Sequence, residues 1–329
     1  GASTAPFAFN LNATEQSFAG KLVVTVQISG GWDVTSICDP KMNVAGESVI
    51  TQWSTSGETQ TAGNIQYAPF ANNAHFFEKY YQDMMVINGI DAQTNAHNAG
   101  DTHFWSGRIS AGYPTLTSLY SHANAPDLAV SYINNGGYSE TAGIIRSNRM
   151  GNADPLQNIL NPNSHNDYGR NNLHTDNWAL ITAARENRNN RLLAKDGITP
   201  LQQASRLNYQ SALNNSDILQ LYAENLKSAG EFEAQQEQGE FTSNINLQAQ
   251  LAVIAMYSGV SSAADLYISG FDTHTNHDSS HQDLLPMLFE GVDKLWDYAE
   301  QYNIADRLVV VIGSEFGRTP YYNDDNGKD

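Results

Sequence analysis

Residues 264–320 read ADLYISGFDTHTNHDSSHQDLLPMLFEGVDKLWDYAEQYNIADRLVVVIGSEFGRTP, and this stretch decides the fold. Its two ends, Ala264–Ile268 and Leu308–Ile312, are short and mainly apolar, the pattern of strands buried on both faces of a parallel sheet. Between them His281, Leu284, Leu285, Leu288, Val292, Leu295, Trp296 and Ala299 recur at three- and four-residue steps, one apolar stripe of a helix. Strand, helix and strand in that order predict a right-handed parallel crossover unit, and therefore a sheet sandwiched between helices.

Outward from this unit, Leu22–Ile28, Met84–Ile90 and Leu128–Ile133 have the same character and predict three further strands. Residues 134–172 are rich in Gly, Asn and Ser and predict a long loop excursion. Residues 175–260 lack strand signals. Trp178, Leu180, Ile181 and Ala184, then Ile218, Leu221, Tyr222 and Leu226, fall at helical spacing, so an inserted or covering helical layer is predicted. The Gln/Glu-rich piece Glu231–Glu240 is too short to be a low-complexity domain. The expectation is a single α/β domain over residues 1–329 with a mostly parallel central sheet and a helical insertion.

The 17 Lys and Arg stand against 35 Asp and Glu, a formal net charge of −18. Such a chain repels the phosphate backbone and anionic lipid, which excludes nucleic acid and membrane surfaces as expected partners. Hydrophobic residues make up 40% and aromatics 10%, enough for a sizeable core and against disorder. The sole cysteine, Cys38, allows no intrachain disulfide and no Cys-based zinc cluster, and reads as a small buried hydrophobe. No apolar run approaches the roughly 20 residues that span a bilayer. The start, Gly1-Ala2-Ser3-Thr4-Ala5-Pro6, has no basic or hydrophobic signal region; it fits the remnant of a cleaved signal peptide or of a tag.

In an open α/β sheet ligands bind beyond the carboxyl ends of the strands, so the residues after each run are the candidates for chemistry. Leu22–Ile28 is followed by Ser29-Gly30-Gly31-Trp32-Asp33, where paired glycines allow a sharp turn that presents one carboxylate. Met84–Ile90 is followed by Asp91 and by HNAGDTHFWSGR at residues 97–108. Ala264–Ile268 leads into GFDTHTNH at 270–277, and Leu308–Ile312 into SEFGRTP at 314–320. Five of the nine histidines, His97, His103, His274, His277 and His281, fall in two of these segments. Imidazole nitrogen mixed with hard carboxylate oxygen suits Zn, Mn, Fe, Mg or Ca. Asp272 and His274, two apart in an extended segment, point the same way and can bind one ion.

Several of these residues also have a plainer reading. Asp33 either presents its carboxylate or caps the turn behind the glycines. Thr102 is a helix cap, an ordinary helix residue or a nucleophile. His277 and His281 lie four apart and can share a helix face, but His281 also heads the apolar stripe and reads equally as a satisfied core histidine. Glu315 after a buried strand needs a partner. Arg318 reads first as a structural partner of a carboxylate and second as an anion clamp. His75, His122, His165 and His174 have no supporting constellation.

GGWD after the first strand, GFDTHTNH, and VVVIGSEFGRTPYYNDDNGKD at residues 309–329 resemble the bacterial family called domain of unknown function fifteen-zero-one. Members of that family are typically exported through the twin-arginine pathway, and its architecture is similar to that of the alkaline phosphatase and sulfatase superfamily. The resemblance implies an α/β/α sandwich, metal ions, usually two, at the carboxyl edge of the sheet, and a periplasmic or secreted location. It implies Asp33, Asp272, His274 and Glu315 as metal ligands and Thr102 as nucleophile, with Ser106 the runner-up; His277 and His281, from their clustering beyond the strand end, are further metal candidates, and Arg318, read as an anion clamp, is a further catalytic candidate. Glu315 lacks the following His of the superfamily's usual Asp-His pair, which implies a second metal that is lost or held otherwise. The family pattern continues after Gly327-Lys328-Asp329 with a His ligand, so the chain is expected to be truncated there.

The function these residues point to is metal-dependent hydrolysis of phosphate or sulfate esters. The cofactor would be divalent Zn, Mn, Fe or Ca, and the substrate a small anionic ester or a sulfated or phosphorylated polymer. The net charge does not oppose a small anionic ester, because bound cations dominate the local field. The alternative is a non-catalytic exported binding or scaffold protein with a structural or vestigial metal site.

Overall fold

A computed structural model describes residues 18–149, 163–165, 170–229 and 244–329. The Gln/Glu-rich piece Glu231–Glu240 and most of the later half of the 134–172 excursion lie outside the described residues. The chain opens with β1 (Leu22–Ile28), the short pair β2 (Gln60–Ala62) and β3 (Ile65–Tyr67), and helices α1 (Asn73–Tyr80), α2 (His97–Ser106) and α3 (Leu116–Asn124). It continues through β4 (Tyr132–Asn134), β5 (Ser147–Arg149), and a small ribbon of β6 (Ser164–His165) and β7 (Arg170–Asn171). Then come α4 (Thr175–Leu193), α5 (Pro200–Asn214), α6 (Ser216–Ser228), α7 (Ile245–Tyr257), β8 (Ala263–Ile268), α8 (His277–Gln301) and β9 (Leu308–Ser314).

The protein is α/β, with a five-stranded parallel sheet in the order β5-β4-β8-β1-β9. β1 lies between β8 and β9, with Val24 opposite Ala264 on one side and Val310 on the other. All seven β1 residues are buried, as the continuous apolar run requires of a central parallel strand. Val24, Val26, Ala264, Leu266 and Ile268 share one core with Leu251 of α7 and Leu285 and Leu288 of α8. Along β1 and β8 the alternate positions are polar: Thr25 donates to Asp265 Oδ1 at 2.6 Å, and the hydroxyl of Tyr132 on β4 donates to Asp265 Oδ2. Helix α3 packs against these three strands and sends the Ser121 hydroxyl to the Ser131 carbonyl at 3.1 Å.

The structure corrects three local expectations. Met84–Ile90 is not a strand; it has no ladder partner among the described residues, and Met85, Ile87 and Ile90 are exposed. An apolar run becomes a strand only where another backbone pairs with it, which local sequence does not report. Leu128–Ile133 shortens to β4, because residues 126–130 turn instead. The 134–172 excursion is not all loop: β5 pairs with β4 as an edge strand. The helical stretch also divides. α4 and α5 expose Leu180 and Leu201, whereas α7 is buried nearly throughout, Gln248 and Gln250 included, so it belongs to the core. No helix among the described residues is long and apolar enough to cross a membrane.

Because the five strands are parallel, their carboxyl ends share one edge. The neighbours β8, β1 and β9 therefore bring residues 269–277, 29–33 and 315–318 together there.

Candidate active site

Gly30 shapes this edge. Its φ of +118° is glycine territory, and a Cβ there would stand 2.2 Å from the Asp272 backbone nitrogen, so the β1 exit lies directly on the β8 exit. The Gly30 N–H donates to Glu315 Oε1 at 2.7 Å. Arg318, buried at 5% exposure, clamps the two exits: Nε donates to the carbonyls of Gly30 (2.9 Å) and Gly31 (3.1 Å), Nη1 to the Lys328 carbonyl (3.1 Å), and Nη2 to the Gly30 carbonyl and Asp272 Oδ1.

An outer group forms around Asp272. His97, on the first turn of α2, donates from Nδ1 to the buried Glu315 Oε1 at 2.7 Å, and its Nε2 faces Asp272 Oδ1 at 3.4 Å. His274 is arranged alike: Nδ1 meets Asp329 Oδ1 at 2.7 Å, and Nε2 faces the same Asp272 oxygen at 3.0 Å. Glu315 is further fixed by the Ser314 hydroxyl at 2.6 Å. Helix α2 can approach Glu315 closely because residue 100 is glycine; a Cβ there would lie 3.0 Å from Glu315 Cβ. Burial alone would raise the Asp272 carboxyl, but the Arg318 hydrogen bond and charge, with His97 and His274, hold it below its ordinary value. Asp101, one turn after His97, is pushed up to about 7, first by burial and then by the Glu315 charge.

An inner group forms around Asp33 and is fully buried. Asp33 caps the short turn Val34–Ser36, accepting from the Thr35 N–H at 3.0 Å and hydroxyl at 2.6 Å, and from the Ser36 hydroxyl at 2.8 Å. Its Oδ2 also receives His277 Nε2 at 3.0 Å and Lys328 Nζ at 2.8 Å. His277 Nδ1 lies 2.7 Å from the Thr273 hydroxyl. The Asp33 N–H donates to His281 Nε2 at 3.2 Å. Burial would raise Asp33, but the His277 hydrogen bond and the Lys328 charge hold it well below the carboxylate range. Burial, and then the neighbouring His277, push His281 down to about 3, which keeps it neutral and fits its role as acceptor.

A family model described as protein of unknown function (DUF1501) matches residues 20–329. The chain belongs to the DUF1501 family. No curated protein and no solved structure gave a match.

In this DUF1501 chain the residues expected at the site thus separate. Asp272, His274, Glu315 and Arg318 meet in the outer group, and Asp33, His277 and His281 in the inner one. Arg318 acts as the partner of a carboxylate and of four backbone carbonyl contacts, not as a free anion clamp. Thr102 is not at a helix start: α2 begins at His97, and the Thr102 hydroxyl donates to the Asn98 carbonyl at 2.8 Å. Ser106 donates to the Thr102 carbonyl at 2.5 Å. Sequence reading missed the roles of His97, Asp101, Thr273, Lys328 and Asp329. His97 carried a signal in the clustering of histidines after strand ends; Lys328 carried none.

Among the described residues, no group of three or more His, Cys, Asp or Glu side chains is arranged, as it stands, to hold a metal ion. The two groups nevertheless differ in their fit to one. In the outer group both imidazoles give their Nδ1 side to a carboxylate, which is how metal-bound histidines are oriented, and turn Nε2 to a third carboxylate; the donor chemistry suits Zn, Mn or Fe. The Arg318 guanidinium shares that Asp272 oxygen. The inner group does not fit, since its lone pairs are already taken.

Proposed function

We propose that the chain is a divalent-cation-dependent hydrolase of phosphate or sulfate esters. One observation carries the reading: two carboxylate-backed imidazoles turn their Nε2 atoms to one oxygen of Asp272. With Nδ1 of each ring set against Glu315 or Asp329, Nε2 is the nitrogen turned to Asp272, where the guanidinium of Arg318 is the cation that faces both Asp272 Oδ1 and His274 Nε2 and a divalent ion would share its place. The finer fold reading, an alkaline phosphatase-like α/β/α sandwich, is part of this proposal, and so are export to the periplasm or medium and a small anionic ester or a sulfated or phosphorylated polymer as substrate.

His97, Asp272 and His274 would hold the ion, which when bound would polarise the ester and lower the pKa of an attacking hydroxyl. Glu315 and Asp329 orient the two rings by accepting their Nδ1 protons. Arg318 positions Asp272 and ties the three strand exits into one rigid edge. The test is elemental analysis of the full chain together with turnover of aryl phosphates and aryl sulfates. We expect about one transition-metal equivalent and measurable hydrolysis, both lost in Asp272→Asn. A folded, metal-free wild type without turnover refutes the reading.

A second reading, a non-catalytic exported binding or scaffold protein, is favoured by the hydroxyls of Thr102 and Ser106, both bonded back into their own helix. Thr102→Ala separates the roles: hydrolysis that survives the change removes Thr102 as nucleophile, and hydrolysis that vanishes in a folded variant restores it.

A further inference from the structure

We propose that the Lys328 ammonium takes the place of a second cation at Asp33, so that Asp33 is closed to metal and any divalent ion sits at Asp272 alone. The Asp272 half rests on the hydrolase reading above; the Asp33 half rests on its own geometry. Asp33 already receives five donors: the N–H and hydroxyl of Thr35, the Ser36 hydroxyl, His277 Nε2 and Lys328 Nζ. The His281 Nε2 lone pair is taken by the Asp33 N–H, and the second nitrogen of His277 by Thr273. With Lys328 in place, the coordinating atoms of Asp33, His277 and His281 are all engaged, His281 Nδ1 facing the Thr273 hydroxyl at 3.5 Å.

Charge completes the argument. Asp33 and Lys328 are both at 0% exposure, where either ion alone would be strongly destabilising and each compensates the other. Lys328 Nζ has a second acceptor in the Thr35 hydroxyl at 3.2 Å and stands 5.0 Å from the Tyr322 ring centre. A divalent ion at Asp33 would have to expel a buried, bonded ammonium. The Lys328 carbonyl also accepts from Arg318, so the same residue ties this internal cation to the clamp on Asp272.

The experiment measures Zn or Mn bound per full chain, after dialysis, in wild type, Lys328→Met and the double variant Lys328→Met with Asp33→Asn. The expected result is a gain of one equivalent from wild type to Lys328→Met that the double variant loses. No gain in a folded Lys328→Met protein overturns the proposal. Where that variant fails to fold, anomalous scattering from wild-type crystals grown with Zn or Mn decides: a peak at ligand distance from Asp33 overturns it, and an edge without such a peak upholds it. Wild-type metal content that is zero, or unaltered by Asp272→Asn, refutes the hydrolase reading and leaves the gain at Asp33 to judge Lys328 separately.

Discussion

Asp265 sits at 0% exposure on β8, its carboxylate bonded to the hydroxyls of Thr25 and Tyr132 and, among the described residues, to no cation. Burial is the dominant influence and, despite those hydroxyls, pushes its pKa from 3.8 up to about 6. The folded value therefore exceeds the unfolded one. The group's contribution to stability is fully present below about pH 3.8 and is lost as pH rises through about 6. At roughly 1.4 kcal/mol per pH unit, a separation of about two units makes the folded state about 3 kcal/mol less stable at neutral pH than in acid, from this side chain alone. Asp265→Asn keeps the shape and abolishes the titration; its amide oxygen can accept from one of the two hydroxyls while its NH2 donates to the other. Urea denaturation of wild type and Asp265→Asn from pH 4 to pH 7.5 isolates the effect, since the other titrating groups cancel in the difference. The variant should gain on wild type by most of that 3 kcal/mol across the window. A difference that stays flat, or grows in favour of wild type, would refute the account of Asp265 as an uncompensated buried acid.

Other positions give independent tests. Asp33→Asn leaves the Lys328 ammonium buried without its counter-charge and should cost about 3–5 kcal/mol in urea denaturation at pH 7; a loss under about 1 kcal/mol would show that the pair is not tightly coupled. Gly30→Ala forces a Cβ to within 2.2 Å of the Asp272 nitrogen at φ +118°, and thermal unfolding should shift down by several degrees; an unchanged midpoint means that the two exits are not in contact. Glu315→Gln weakens the support of His97 and should lower metal affinity about 10–100-fold by equilibrium dialysis, whereas unchanged affinity would remove His97 from the ligand set.

What the sequence determined by itself was whatever depends on near neighbours along the chain. The apolar runs at β1, β8 and β9 and the stripe of α8 were legible, because a strand buried on both faces and a helix with one buried face each leave a local period. The same logic located Asp272, His274, Glu315 and Asp33 beyond strand ends. Met84–Ile90 shows where it stops: the run has a strand's composition but no partner backbone among the described residues, and pairing is a tertiary fact. The site shows it again. Acidic and imidazole residues that read as one ligand set fall into two, and only packing divides them, by laying Arg318 against Asp272 and carrying Lys328 across 295 positions to Asp33. Residue type determines which atoms can hold a cation. Which lone pairs remain free for one depends on the donors that the fold brings to them, because every donor at short range removes an acceptor from the chemistry that remains.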